Sequence, residues 1–299
     1  MRAGVKTGVD SVPHSVWSIG ATLGEGPAWV AREKALWFVD IKGRNLHRFD
    51  PASGEKSSWA TPDQCGFVLP ISGGGFVAGL KCGLHRFDER LGTFTLMVDP
   101  EPDKPGNRLN DATVDRRGRL WFGTMDDAET APSGAIYGAE RDATPIRRSP
   151  HCTITNGPAF SPDGSLCYHV DTLGGLIYVC AVAADGALTD RRVFATVAPA
   201  DGYPDGPTVD AEGCVWIGLF AGWGVRRYSP RGDLLETVRF PVANVTKLAF
   251  GGEDLKTVYA TTATKGLTPQ ERAAQPLAGD LFSFRISTPG VAGVEASGF

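Results

Sequence analysis

One motif recurs six times along this chain of 299 residues. In each copy a short β-rich run with aromatic or basic side chains leads into a polar turn. The copies begin at Asn45, Gly83, Gly134, Gly175, Gly224 and Asp280, and read NLHRFDPASGE, GLHRFDERLGT, GAIYGAERDAT, GLIYVCAVAADGA, GVRRYSPRGDL and DLFSFRISTPG. Their spacing of roughly 38 to 56 residues lies near the range of four-stranded propeller blades. This repeat constrains the fold more than any other feature.

Two further β-rich runs precede each copy, and a last one often follows it. The runs directly before the copies are ALWFVDI, GFVAGL, RLWFGTM, SLCYHVDT, CVWIGLF and TVYATTA. They are rich in β-branched and aromatic residues and are bounded by Gly, Asp and Pro, which is typical of strands. The opening words are GEGPAW, GFVLPI, NDATVD, NGPAFS, DGPTVD and VTKLAF. We therefore predict an all-β, six-bladed β-propeller with four antiparallel strands per blade; a β-sandwich of similar strand number is the alternative.

The two ends of the chain are predicted to close the ring. SVWSIG precedes the first opening word just as a fourth strand precedes the other opening words, so it is expected to supply the outer strand of blade six. Such closure would remove the exposed edges that a ring otherwise leaves. We expect residues 1–13 to be a flexible leader and residues 14–299 to form one propeller domain. A helical pattern is weak and confined to Thr268–Leu277.

The bulk composition favours a small-molecule partner. Hydrophobic residues make up 42% and charged residues 21%, values typical of a folded globular protein. The formal net charge is -4 without long Lys or Arg runs, so neither nucleic acid nor an anionic membrane is an expected partner. No apolar run approaches the ~20 residues of a membrane span, and the N-terminus lacks the apolar segment of a secretory signal. The six scattered cysteines, without C-x-x-C, indicate reduced and mostly buried thiols in a cytoplasmic protein. The oligomeric state is left open.

Three opening words share a Gly-Pro after an oxygen-bearing side chain: E-G-P at Glu25, N-G-P at Asn156 and D-G-P at Asp205. The innermost strand of each blade lines the central channel, so equivalent positions should face one another. The distance to the aromatic centre of the next strand is 12 residues for Glu25–Trp37 and Asn156–Tyr168, and 11 for Asn110–Trp121 and Asp205–Trp216. Blades one, three, four and five thus present polar side chains at one level. At the same level, blade two offers Cys65 or Gly66 and blade six offers Thr246.

Two carboxylates and two amides in one channel are not expected from core packing, because neighbouring ionised carboxylates repel and are costly to desolvate. We expect a cation between them. The donors are all oxygens, which favours Ca²⁺, Mg²⁺ or Mn²⁺, while Zn²⁺ or Fe²⁺ remains possible through the carboxylates. Asp-Gly and Asn-Gly are also common turn signals. Because these residues occupy the same position in separate repeats, a metal site is favoured over the alternative that each motif only forms a turn.

With these residues in view, the chain resembles the gluconolactonase/regucalcin family of sugar lactone hydrolases. The resemblance runs from about Val16 to Phe284 and is carried by LGEGPAW, NRLNDATVDRRGRLWFGTM, ITNGPAFSPDG, YPDGPTVD and FGGEDLKTVY. It implies a six-bladed propeller with one catalytic divalent metal ion, held by Glu25, Asn156 and Asp205. It also implies that Arg108 and Asn110 contact a sugar lactone such as gluconolactone or xylonolactone. VTKLAFGG and ATKGLT most resemble bacterial aldonolactonases of the xylonolactonase type.

One segment departs from the family pattern. Regucalcin-type members carry acidic residues after G-T-M, where this chain has Asp126, Asp127, Ala128 and Glu129. Which of the three acids contacts substrate is therefore left open.

The predicted chemistry is metal-assisted opening of an ester ring. Asp205 is expected to act as general base, with direct attack as the alternative, because Asn can do neither. Arg108 is expected to bind ring oxygens or hydroxyls, its alternative being a solvated loop arginine, and Asp111 either ties down its loop or contacts substrate. His169 lies on an apolar strand and is interpreted as an interior histidine. Two rival functions remain: a phosphotriesterase-like hydrolase on the same fold, and a non-catalytic calcium-binding or scaffold propeller.

Overall fold

The computed structural model describes residues 9–139, 145–297 and 299. Within them the chain forms six antiparallel four-stranded sheets that follow one another around a ring, so the predicted six-bladed propeller is confirmed. Part of the third repeat copy, residues 140–144, and residues 1–8 of the predicted leader lie outside the described residues. No helix in the described part of the chain has the length and apolar character that crossing a membrane requires.

Each blade runs from an innermost strand at the channel to an outer strand at the rim. Blade 1 comprises β2 (Gly24–Val30), β3 (Ala35–Asp40), β4 (Asn45–Phe49) and β5 (Lys56–Ala60). Blade 2 comprises β6 (Cys65–Pro70), β7 (Phe76–Leu80), β8 (Gly83–Asp88) and β9 (Thr93–Val98). Blade 3 comprises β10 (Asn107–Val114), β11 (Leu120–Asp126), β12 (Ile136–Ala139) and β13 (Ile146–Arg147).

The remaining blades repeat this order. Blade 4 comprises β14 (Thr155–Phe160), β15 (Leu166–Asp171), β16 (Leu176–Val182) and β17 (Leu188–Thr196). Blade 5 comprises β18 (Tyr203–Val209), β19 (Val215–Phe220), β20 (Gly224–Tyr228) and β21 (Leu234–Arg239). Blade 6 comprises β22 (Val245–Gly251), β23 (Thr257–Thr262), β24 (Leu281–Arg285) and, at the rim, β1 (His14–Trp17). A 3-10 helix covers Pro199–Asp201, and α1 (Pro269–Ala274) lies inside the predicted helical segment.

The N-terminal strand closes the ring as predicted. β1 pairs antiparallel with β24, with His14 opposite Ser283 and Trp17 opposite Leu281. The backbone before β1 also contacts blade 6, because Val9 bridges Ile286. The boundary of the flexible leader at residue 13 stays a prediction.

Large apolar side chains hold the sheets together. The second-strand aromatic residues of blades 1, 3, 4 and 5, namely Trp37, Trp121, Tyr168 and Trp216, are at most 1% exposed. Trp37 stacks on Trp59 of its own blade and packs against Phe76 of blade 2. Burial of each such side chain stabilises the fold by roughly 2–3 kcal/mol, so the blades form a rigid frame around the channel.

The two ends of the channel differ. We call the face at which the innermost strands begin the upper face. At the opposite face the C-terminal segment crosses the channel, since Gly290 bridges Asp210 of blade 5 and Ala296 bridges Ile71 of blade 2. Residues 291–295 thereby close a cavity of about 570 Å³, which we call the lower cavity. The predicted site residues lie towards the upper face.

Candidate metal centre near the upper face

The innermost strands bring the four predicted polar side chains to one level. In each case the residue three positions later pairs with the aromatic residue of the second strand. The pairs are Ala28 with Trp37, Thr113 with Trp121, Ala159 with Tyr168, and Thr208 with Trp216. All six innermost strands are irregular at this level, because their pairing register shifts there. Such bulges re-aim side chains, often beside functional sites.

Two amides form a connected hydrogen-bond chain in this layer. Asn110 Nδ2 donates to Asn156 Oδ1 at 2.9 Å and to the Thr155 carbonyl at 2.6 Å. Asn156 Nδ2 in turn donates to Thr172 Oγ1 at 2.8 Å. Both amides are at most 5% exposed. Because a carbonyl oxygen has two lone pairs, Asn156 Oδ1 keeps acceptor capacity for a cation.

Two buried carboxylates lie at the same level of the channel, on blades 1 and 5. Asp205 and Glu25 are each 5% exposed. Among the described residues, Asp205 Oδ1 has no hydrogen-bond partner. Burial, together with the charges of Glu25 and Asp111, raises the pKa of Asp205 well above its ordinary range. Burial and the Asp111 charge raise the pKa of Glu25 to about 7. The fold therefore holds two buried carboxylates where the charge of Glu25 disfavours ionisation of Asp205.

Glycine follows two of these residues because the backbone there requires it. Gly26, after Glu25, has φ of 55°, and Gly157, after Asn156, has φ of 86°. A side chain is strained in this left-handed region. A Cβ atom on Gly157 would also lie 2.8 Å from Pro207 of the next blade. At these two positions the glycine of the repeated Gly-Pro is therefore required by the local backbone conformation.

Arg108 and Asn110, the predicted substrate-binding pair, contact each other directly. Arg108 is 2% exposed, and its guanidinium donates to Asn110 Oδ1 at 2.6 Å. Its Nε also donates to Asp127 at 3.0 Å. Arg108 is therefore buried and hydrogen-bonded, and the alternative of a solvated loop arginine is wrong. The substrate role of both residues stays a prediction.

The three acids after G-T-M lie in different surroundings. Asp126 accepts hydrogen bonds from the Ala131 and Thr130 backbone, which lower its pKa to about 2 and hold its own loop. Asp127 forms an ion pair with Lys42 at 2.6 Å in addition to its hydrogen bond from Arg108. Although burial raises the pKa of Asp127, bonds from Lys42 and Gln64 and the Arg108 charge bring it to about 2.

Glu129 forms an ion pair with Lys265, and the two groups come from opposite blades of the ring. Glu129 follows β11 in blade 3, and Lys265 follows β23 in blade 6, so the pair spans the upper face. The Lys265 charge also acts on the Asp205 carboxylate. Of the three acids, Asp127 and Glu129 therefore lie at the site and Asp126 holds its loop.

Lys247 is a site residue that the sequence reasoning missed. It is 6% exposed and pairs with Asp111, which is 1% exposed. A signal was available, because lysine is almost never buried without a partner and V-T-K-L-A-F reads as a buried strand. His169, by contrast, is buried, stacks on Tyr178 at 5.2 Å between ring centroids, and has its pKa lowered to about 4 by burial and the nearby Arg191.

The donors present fit a hard divalent cation. Glu25 and Asp205 supply carboxylate oxygens and Asn156 an amide oxygen, which is the donor chemistry of Ca²⁺, Mg²⁺ or Mn²⁺. Buried polar atoms normally have partners, and Asp205 Oδ1 has none within the described part of the chain, which favours a bound ligand here.

Comparisons with known proteins identify the family of this chain. Residues 23–264 match the family model described as the SMP-30/Gluconolactonase/LRE-like region. The chain belongs to this family. It is 33% identical over 273 residues to the 6-deoxy-6-sulfogluconolactonase of Pseudomonas putida, covering 91% of this chain and 94% of that protein. It is 36% identical over 281 residues to the L-arabinolactonase of Azospirillum brasilense, covering 93% of each.

Among solved structures of the family, the calcium-binding protein regucalcin of Agrobacterium tumefaciens superposes with a TM-score of 0.90 at 29% identity. The superposition covers 94% of this chain and 96% of regucalcin. Family membership predicted from the motifs is thus confirmed. The relatives carry the names of different sugar lactones, so the finer xylonolactonase-type assignment stays a prediction.

Proposed function

We propose that this protein is a metal-dependent lactonase that opens sugar lactones to the corresponding sugar acids, with Glu25, Asn156 and Asp205 as the metal ligands. One observation carries the proposal: a buried Asp205 oxygen that has no partner among the described residues, beside a second buried carboxylate, on strands that all bulge at this level. The lactonase names of the two relatives support the substrate class.

Lactone hydrolysis builds negative charge on the carbonyl oxygen while a water attacks the carbonyl carbon. A bound divalent cation would supply positive charge for that oxygen and acidify water. Asp205 would accept the proton of the attacking water, because it is a carboxylate at the centre and the amide of Asn156 cannot act as a base. General base catalysis of this kind contributes typically about 10²–10⁴-fold to a rate.

Arg108 and Asn110 would bind the hydroxyl groups or ring oxygen of the lactone. They lie next to the ligand Asn156 and are held by their mutual bond, so little ordering is needed when substrate arrives. Gluconolactone and xylonolactone are the substrates that the motifs favour. L-arabinolactone is a further candidate, because one relative is named an L-arabinolactonase.

The test is a substrate panel with metal removal and return. Purified protein is stripped with a chelator and assayed above the spontaneous rate on glucono-, xylono- and L-arabinolactone and on an organophosphate triester. We expect lactone turnover to disappear on stripping and to return with Mn²⁺ or Ca²⁺. Faster turnover of the triester would favour the phosphotriesterase alternative. Metal binding without any hydrolysis would favour a calcium-binding propeller.

A further inference from the structure

A buried ion pair crosses the channel directly beneath the metal centre. Asp111 lies on β10 of blade 3 and Lys247 on β22 of blade 6, so they come from opposite sides of the ring. Lys247 Nζ also donates to the Ala112 carbonyl at 3.2 Å. Lys247 and Ala112 both line the lower cavity. The pair therefore forms the floor between the metal centre and that cavity.

The carboxylate end of the pair holds the backbone after one metal ligand. Asp111 Oδ2 accepts a hydrogen bond of 2.7 Å from the backbone N–H of Gly157, the residue that follows Asn156. Asp111 Oδ1 accepts a hydrogen bond from the backbone N–H of Ala112 at 2.7 Å and another from the Lys247 ammonium group. Every one of these groups is buried. Asp111 thus ties the bulge that carries Asn156 to blades 3 and 6.

The aliphatic stem of Lys247 supports the backbone after a second ligand. Gly206 follows Asp205, and a Cβ atom placed on Gly206 would lie only 2.7–2.8 Å from the Cβ, Cγ and Cδ atoms of Lys247. The lysine stem therefore packs directly on this glycine. The two ends of one ion pair contact the residues that follow two different metal ligands.

The charges of the pair also match the proposed centre. The Asp111 charge acts on both Glu25 and Asp205, and the Lys247 charge opposes it at Glu25. With Lys247 in place, Asp111 is neutralised, and two carboxylate charges are left to balance one dication.

We propose that Asp111 and Lys247 are positioning residues: together they fix the Asn156 and Asp205 bulges and thereby set the affinity of the centre for its cation. The inference rests on the metal centre proposed above. Groups that orient metal ligands without touching the metal typically change affinity or activity 10–100-fold when they are replaced.

The deciding variant is the double substitution Asp111→Ala with Lys247→Ala, which removes both the acceptor for the Gly157 N–H and the lysine stem on Gly206. It removes both charges at once, so the net charge of the site is unchanged and any effect reports on positioning. Mn²⁺ binding to metal-stripped, folded protein is measured by titration calorimetry, and turnover of the best lactone is measured alongside. We expect Mn²⁺ affinity to fall about 10–100-fold, with kcat/KM falling in parallel. If the double variant does not fold, Asp111→Ala with Lys247→Met removes the acceptor for the Gly157 N–H while keeping the charge balance and most of the Lys247 volume, and the same titration then reports on the Asn156 bulge alone.

The matched control is Asp115→Ala with Arg119→Ala, which removes a buried ion pair of 2.7 Å in the turn between β10 and β11, away from the metal centre. We expect it to lose stability while keeping wild-type Mn²⁺ affinity. Unchanged or tighter Mn²⁺ binding in the Asp111/Lys247 variant would overturn the inference. Wild-type protein that binds Mn²⁺ without opening lactones would contradict the proposed function and leave the affinity comparison intact. Wild-type protein that binds no Mn²⁺ would overturn both.

Discussion

Two aspartates of blade 5, five residues apart, show opposite ways of burying a carboxylate. Asp210 is 0% exposed, and both of its oxygens are fully used. Oδ1 accepts two backbone N–H groups at 3.0 Å, and Oδ2 accepts Trp216 Nε1 at 2.9 Å and Arg227 Nε at 2.8 Å. Asp205 is 5% exposed and has an oxygen without a partner among the described residues.

The comparison separates structural carboxylates from ligands. Asp210, Glu212 and Cys214 bring their donor atoms within 4.8 Å of one another, which resembles a metal cluster. Arg227 already supplies the positive charge there, through contacts of 2.7 Å to Asp210 and to Glu212. Asp115 repeats the same arrangement in blade 3, where it binds Trp121 Nε1 and Arg119. Proximity of acids is therefore a weaker sign of a metal site than an unsatisfied buried oxygen.

The largest expected effect is on turnover, from Asp205→Asn. Removing the proposed base and one ligand should lower kcat/KM for the lactone by about 10²–10⁴-fold or more. The free energy of unfolding of metal-free protein should not fall, because an unpaired buried carboxylate stabilises little. Lactone assays and denaturant unfolding on the same preparation measure both quantities. Turnover near the wild-type value would refute the catalytic role.

Asp210→Asn should show the reverse pattern. It removes the buried carboxylate partner of Arg227 and leaves only the exposed Glu212, so the free energy of unfolding should fall, by less than the ~3–5 kcal/mol typical of a fully broken buried pair. Denaturant unfolding should detect this loss, while kcat/KM of the folded variant stays at the wild-type value. Lost turnover with unchanged stability would instead make Asp210 part of the active site.

Cation binding should stabilise only chains that retain the metal centre. At a free Mn²⁺ concentration of 100 times the dissociation constant, the free energy of unfolding should rise by about 2.7 kcal/mol. We expect this increase in the wild type and in Asp210→Asn but not in Asp205→Asn. Thermal unfolding with and without Mn²⁺ makes the comparison, and equal stabilisation of Asp205→Asn would place the cation elsewhere.

A smaller effect is expected from pH in metal-free protein. The pKa of Glu25 is raised from 4.5 to about 7, so the folded state binds a proton more tightly than the unfolded state between these values. The Glu25 contribution to stability is complete below pH 4.5 and is lost as the pH rises towards 7, by about 1 kcal/mol per pH unit. Glu25→Gln lacks this contribution.

The difference in unfolding free energy between wild type and Glu25→Gln should therefore shift in favour of the variant as the pH rises through this window. Denaturant unfolding at a series of pH values measures it. A difference that does not change with pH would show that the pKa of Glu25 is not raised.

The repeat made the frame of the molecule predictable. Six copies of one strand-and-turn motif give the blade number, and the equal spacing from Glu25 and Asn156 to their aromatic centres gives the level of the site. Ring closure by β1 followed from the same strand order. These features are local patterns that the chain repeats, so a single sequence contains them several times.

Contacts across the channel were not predictable in this way. Lys247 meets Asp111 136 positions earlier in the chain, and Lys265 meets Glu129 over the same separation. Such pairs depend on which blades face each other and on side-chain reach, neither of which leaves a periodic pattern. A fourth strand was predicted for every blade, but the position of β13 in blade 3 was not located, because a strand of two residues carries too little sequence pattern.

The most direct test of the metal centre is anomalous diffraction from a crystal soaked in Mn²⁺. We expect one strong peak within about 2.0–2.6 Å of carboxylate and amide oxygens of Glu25, Asn156 and Asp205, and none at Asp210. A peak at Asp210, Glu212 and Cys214 with nothing between the three ligands, or no peak at saturating Mn²⁺, would contradict the account.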